Sequence, residues 1–133
     1  VNIATVRSTI GSALGAVTGL NVYSYEPDDY SSPAAVVGWP DAPINVSETF
    51  VAGRLLFQVP VRLYVARTGD DSSESLLAGY LDQSTTSAAS VVSALGAGAV
   101  VKSSDVQYML VDIRDFFVTT AALSATLTVQ VIA

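Results

Sequence analysis

Between positions 54 and 67 apolar and polar residues alternate almost without fault. The odd positions carry Leu55, Phe57, Val59, Val61, Leu63 and Val65, and the even ones Arg54, Leu56, Gln58, Pro60, Arg62 and Tyr64. Period-two alternation predicts a strand with one buried face. At ~3.3 Å per residue it would be about 45 Å long, well beyond the usual strand. Pro60 cannot donate to a ladder, so the strand is expected to be bulged or at an edge there, to bend at Pro60 and to run past the domain body. A second alternation closes the chain: Leu123, Ala125, Leu127, Val129 and Val131 are interleaved with Ser124, Thr126, Thr128 and Gln130. Residues 106–117 are β-rich. The turn at 119–122 contains no Gly, Asn or Pro, so a hairpin there rests on length alone.

Helical spacing occurs in three places. Ile3, Val6, Ile10, Leu14 and Val17 fall at three-to-four-residue intervals and predict a helix over residues 2–16, weakened by Gly11 and Gly15 and stopped by Gly19. Asp71 followed by Glu74 has the spacing of a capping box, ahead of a stripe of Leu76, Leu77, Tyr80 and Leu81. Ala88, Val91, Val92 and Leu95 form a further stripe, ended by Gly96 and Gly98, with a break over residues 84–87. Short strands are predicted over 21–25 and 34–39, the second continuously apolar and so buried on both faces. Strands that cluster rather than alternate with helices favour an α+β fold. The expected architecture is one small domain over residues 1–133, with a largely antiparallel mixed sheet of about five strands and helices packed on one face.

Composition narrows the chemistry. Half of the 133 residues are hydrophobic and only 14% are charged, which excludes intrinsic disorder. Six Lys and Arg against twelve Asp and Glu give a net charge of −6, unfavourable for sequence-independent phosphate binding. Without Cys or His there are no disulfides, thiolate nucleophiles, Cys/His zinc sites or imidazole bases. A mean hydropathy of +0.48 is high for a monomer, and the excess must be covered. The uncharged stretches 8–25, 83–101 and 116–133 are each diluted by polar or small residues, and the first residues lack the charged-then-apolar order of a signal peptide. The excess is therefore assigned to a subunit interface rather than to lipid.

The remaining clusters have bland readings that outweigh sharp ones. Glu26, Asp28 and Asp29 match no calcium-loop pattern and read as an acidic loop. Lys102 and Ser103 invite a Ser–Lys dyad, but neighbours in an extended segment point to opposite faces, so a polar turn before a strand is expected. Residues 95–98 lack the glycine, lysine and helix of a phosphate loop. No catalytic set, metal site or cofactor is expected. With so few cations, Arg54, Arg62, Arg67 and Arg114 are each expected to be paired with a carboxylate, within the subunit or across an interface. Tyr30, Trp39, Phe50, Phe116 and Phe117 lie in or beside loops and strand ends; core packing is the default, and Trp39 is a credible interface anchor.

Certain words, in order, carry a resemblance. They are Leu20-Asn21-Val22-Tyr23-Ser24-Tyr25-Glu26-Pro27, then Ser32-Pro33-Ala34-Ala35-Val36-Val37-Gly38-Trp39-Pro40. The long strand ending Val65-Ala66-Arg67 follows, then an acidic helix start at Asp70-Asp71 and a closing Thr126-Leu127-Thr128-Val129-Gln130-Val131-Ile132-Ala133. Read together, the chain resembles the tail terminator family of long-tailed, siphovirus-type phages, especially those infecting actinobacteria. Residues 116–122 depart from that pattern, which often has a Gly-bearing turn there.

The resemblance implies a structural virion protein without catalytic activity. It would form a homo-hexameric ring on the finished tail tube, end tube polymerisation and join the tail to the head–neck connector or stopper protein. It would be assembled in the host cytoplasm and reside at the tail–neck junction of the virion. The candidate subunit-interface residues are then Trp39, Tyr30, Phe50, Arg54, Arg62, Arg67, Phe116 and Phe117. Glu26, Asp28 and Asp29 are candidates for an acidic loop or lumen. Six copies at −6 each would repel DNA in passage rather than bind it. Other phage neck, tail-completion or tail tube subunits stay open as alternatives, as does a small α+β ligand-binding module of a different class.

Overall fold

The computed structural model describes residues 2–29, 31–40, 44, 55–67, 72–82, 90–103, 105–119 and 121–133. The elements are α1 (Ile3–Leu14), β1 (Asn21–Tyr23), β2 (Ala34–Val37), β3 (Leu56–Ala66), α2 (Ser72–Tyr80), α3 (Val91–Ala94), β4 (Val101–Ser103), β5 (Val106–Val118) and β6 (Ala122–Ile132). They form an α+β domain around one sheet of order β1-β2-β3-β6-β5-β4, in which only β1 and β2 run parallel.

The two alternating segments pair with each other. β3 and β6 run antiparallel in unbroken register from Leu56↔Ile132 to Ala66↔Ala122. This places Phe57, Val59, Val61, Leu63 and Val65 beside Val131, Val129, Leu127, Ala125 and Leu123 on one face, all buried. The helices cover that face. Val6, Ile10 and Leu14 of α1, Tyr80 of α2 and Val91 and Val92 of α3 belong to the same apolar cluster. Asn2 caps α1 by accepting from the Thr5 amide at 2.8 Å. Gly11, costly for helix propensity, lies against Ser24, whose hydroxyl would have to turn away from a Cβ there.

Pro60 produces no bulge. Its carbonyl accepts from Gly38 N at 2.9 Å, just past the last β2 residue, so its ring nitrogen faces the same side, away from β6. The missing donor therefore falls where β2 has already ended, and the β3–β6 register passes through Pro60↔Thr128 undisturbed. On its other edge β3 is paired with β2 over residues 61–64, which leaves residues 56–59 without a strand there among the described residues.

The longer uncovered edge belongs to β5, which β4 pairs with only over residues 106–108. Its ladder with β6 slips twice, between Leu110 and Asp112 and between Arg114 and Phe117. Val106, Tyr108 and Leu110 face the core, and strict alternation would drive Asp112 and Arg114 into it next. The extra residue Val111 reverses the phase, so that Ile113 sits opposite Leu127 and the two charges turn to the other face. The second slip contains Asp115, in left-handed conformation at φ 57°.

Smaller departures have local causes. A sixth strand, β4, replaces the polar turn expected at Lys102 and Ser103: Lys102 pairs with Gln107 and Ser103 with Val106. Leu76 is exposed, leaving Leu77, Tyr80 and Leu81 as the packed side of α2. Asp71, Ala88 and the expected break at 84–87 lie outside the described residues. The Gly-free hairpin between β5 and β6 is closed by Thr119. Its amide donates to Ala122 O at 3.0 Å, and its hydroxyl accepts from Ala122 N at 3.0 Å and Ala121 N at 3.3 Å.

Candidate assembly surface

Three of the candidate residues meet on the face of the sheet opposite the helices. Arg62 projects from the even side of β3 and forms an ion pair with Glu26, 36 positions earlier in the chain. Both side chains are partly exposed, so the pair fixes the loop after β1 more than it stabilises the fold. Trp39, Pro60, Asp115 and Thr126 complete a cleft of about 440 Å³ around them. Arg62 Nε is buried without a hydrogen-bond partner, and the same is true of the Thr128 hydroxyl further along β6. Asp28 and Asp29 are exposed in the loop that carries Glu26.

Trp39 is held from behind by a residue that the sequence reading passed over. Arg7 of α1 is buried and donates from Nε and Nη2 to Val37 O, at 3.2 and 2.8 Å. Its guanidinium carbon lies 4.9 Å from the centroid of the Trp39 ring, a cation–π contact. Trp39 nonetheless stays 59% exposed. A signal for Arg7 was present: it lies four positions after Ile3 and three before Ile10, on the apolar stripe of α1, where a cation needs a specific acceptor.

A second group forms at the far end of the β5–β6 hairpin. Phe116, Phe117 and Val118 are 60%, 61% and 66% exposed. Arg67, at the end of β3, donates from its amide to Ala121 O and from Nη1 to Thr119 O, at 3.0 and 3.1 Å. Three large apolar side chains and one cation thus share the hairpin end. Beyond the β4 pairing, residues 109–118 of β5 have no strand on their outer side among the described residues. Val111 is exposed there, and a groove of about 460 Å³ runs between this edge and the turn after α3. The signal for the hairpin end lay in Phe116-Phe117-Val118, three apolar residues running straight through the expected alternation.

Tyr30, Phe50 and Arg54 lie outside the described residues. Arg114 sits 3.9 Å from Asp112, both exposed. Among the described residues no group of three or more acidic side chains is placed to hold a metal ion. None of the described helices is long and apolar enough to cross a membrane. Burial raises the phenols of Tyr80 and Tyr108 above their ordinary range; both pack in the core and face no cleft described above. Searched against models of known families and against curated proteins, the chain matches none.

Proposed function

We propose that the chain is a structural subunit of a long-tailed phage. It assembles through lateral contacts into a ring on the tail tube, ends tube growth and offers its outer face to the head–neck connector or stopper protein. The observation that carries this reading is the exposure of Phe116, Phe117 and Val118 at the end of the β5–β6 hairpin. Large apolar side chains left in water mark an association surface, and a ring subunit has lateral faces to cover. The α+β single domain agrees with what the sequence resemblance implies. The cleft at Glu26, Arg62 and Asp115 is open and bears charge of both signs, which suits a polar contact at the rim of an assembly.

Negative-stain imaging of the chain mixed with the tail tube protein of the same phage tests the proposal. Closed rings at one end of tubes of fixed length are the expected result. Continuous co-polymerisation would make the chain a tube subunit instead. A monomer that leaves the tube untouched would overturn the reading and favour the ligand-binding module.

A further inference from the structure

We infer that the cleft beside Trp39 receives an arginine side chain from a basic segment of another protein. The site goes beyond the assembling-subunit reading and does not depend on it.

Trp39 is the only tryptophan of the chain and stays 59% exposed, yet the backbone that carries it is fixed from both sides. From the helix side, Arg7 donates to Val37 O and sets its guanidinium against the indole. From the opposite face of the sheet, Arg62 lies so close to Gly38 that a Cβ there would stand 3.1 Å from Nη2. Two of the chain's six cations thus hold a large aromatic ring in water. Ordering the ring in advance lowers the entropic cost of a later contact, and Trp is enriched among the residues that anchor partners.

The cleft selects the charge of that partner. Glu26, Pro60, Arg62, Asp115 and Thr126 line it with Trp39. Arg62 matches Glu26, whereas Asp115 is exposed and has no ion pair among the described residues. The neighbouring Arg114 lies 3.9 Å from Asp112. The loop that carries Glu26 adds the exposed Asp28 and Asp29, so the surroundings attract a cation. Arg7 already uses the indole from one side, which lowers the ring's pull on a second cation. The charge must then come from Asp115 and the flat contact from Trp39. A guanidinium meets both demands, since it stacks on aromatic rings and forks onto a carboxylate, which an ammonium does not do. A second copy is a poor source of one. It carries −6 itself, and among its described residues Arg7 is buried, Arg62 is in the cleft, Arg67 is held on Thr119 O and Arg114 lies beside Asp112. That leaves Lys102, an ammonium.

As the sole tryptophan, Trp39 reports on the cleft through its own fluorescence. The probes are two capped tripeptides added to the full chain: glycine-arginine-glycine, and the same peptide with neutral citrulline in place of arginine. The arginine peptide should give a saturable shift, and the citrulline peptide should bind about fivefold more weakly, the upper end for an exposed ion pair. Asp115→Asn keeps a side chain that tolerates the left-handed backbone at φ 57° and should weaken the arginine peptide by the same factor. Asp105→Asn removes an equal charge just before β5, at its other end, and should leave binding unchanged. Equal binding of the two peptides, or no shift with either, would overturn the site. An equal loss in both variants would overturn it by reducing it to general acidity. A shift on concentrating the chain alone would overturn it in favour of a second copy. Tube capping is read separately, so failure here leaves the tail-subunit reading standing.

Discussion

β3 and β5 are long strands that share one partner, β6, and they meet it in opposite ways. β3 keeps one register with β6 over its whole length, and β2 pairs with residues 61–64 on its other edge. β5 slips twice and ends exposed. The difference follows from where each strand puts its charges. In β3 the single interior charge, Arg62, already falls on the even side, opposite the helices, where Glu26 meets it. In β5 the Asp112–Arg114 pair has the wrong phase for the residues before it, and only an inserted residue turns it outward. The insertion that spares the core leaves a strand edge unsuited to regular pairing and a hairpin end with apolar side chains in water. One strand is therefore built into the core of the domain, and the other is the one that the proposed function uses for association.

The contrast can be broken most severely from the inside. Leu127→Ala removes a fully buried side chain on β6, between Val61 of β3 and Ile113 of β5. It should cost about 2–5 kcal/mol in urea unfolding. Arg7→Ala deletes both donors to Val37 O and the support beneath Trp39, for about 2 kcal/mol by the same measurement. Alkaline pH acts on the same interior. The buried phenols of Tyr80 and Tyr108 keep their protons to higher pH than they do in the unfolded chain. Their contribution is therefore complete below about pH 10 and is lost as pH rises through their raised folded values, so a pH series of melting temperatures should fall on that side. Glu26→Gln breaks only a partly exposed pair and should cost less than about 1 kcal/mol. Phe117→Ser should change the monomer's stability by no more than about 0.5 kcal/mol while weakening self-association at least tenfold in light scattering. That pairing of effects sharpens the comparison, because a residue of the β3–β6 core would move both readings together.

Where period and burial agree, the sequence was legible. The alternations around Val61 and Leu127 identify β3, β6 and their shared face, and the stripe through Val6, Ile10 and Leu14 identifies α1. The interior of β5 was not legible, because a bulge reverses the faces without leaving a period behind, and Asp115, a residue type that tolerates the left-handed backbone it adopts, sits inside a β-rich run. β4 was hidden by polarity: Lys102 and Ser103 pair through their backbones with their side chains exposed. The hairpin was hidden because Thr119 performs with its hydroxyl what Gly or Asn usually does. Of the candidate surface, Trp39, Phe116 and Phe117 were readable as aromatics at strand ends. The partners that define their settings, Arg7 beneath Trp39 and Arg67 beside the hairpin, come from distant segments that only the fold brings together.

The most direct test of the contrast between the two strands is hydrogen–deuterium exchange on the chain at rising protein concentration. The account predicts that amides of residues 109–119 gain protection as copies associate, while those of β3 and β6 stay as slow as in the dilute protein. Unchanged exchange over 109–119 in an assembled sample, or new protection confined to the Trp39 side of the sheet, would contradict it.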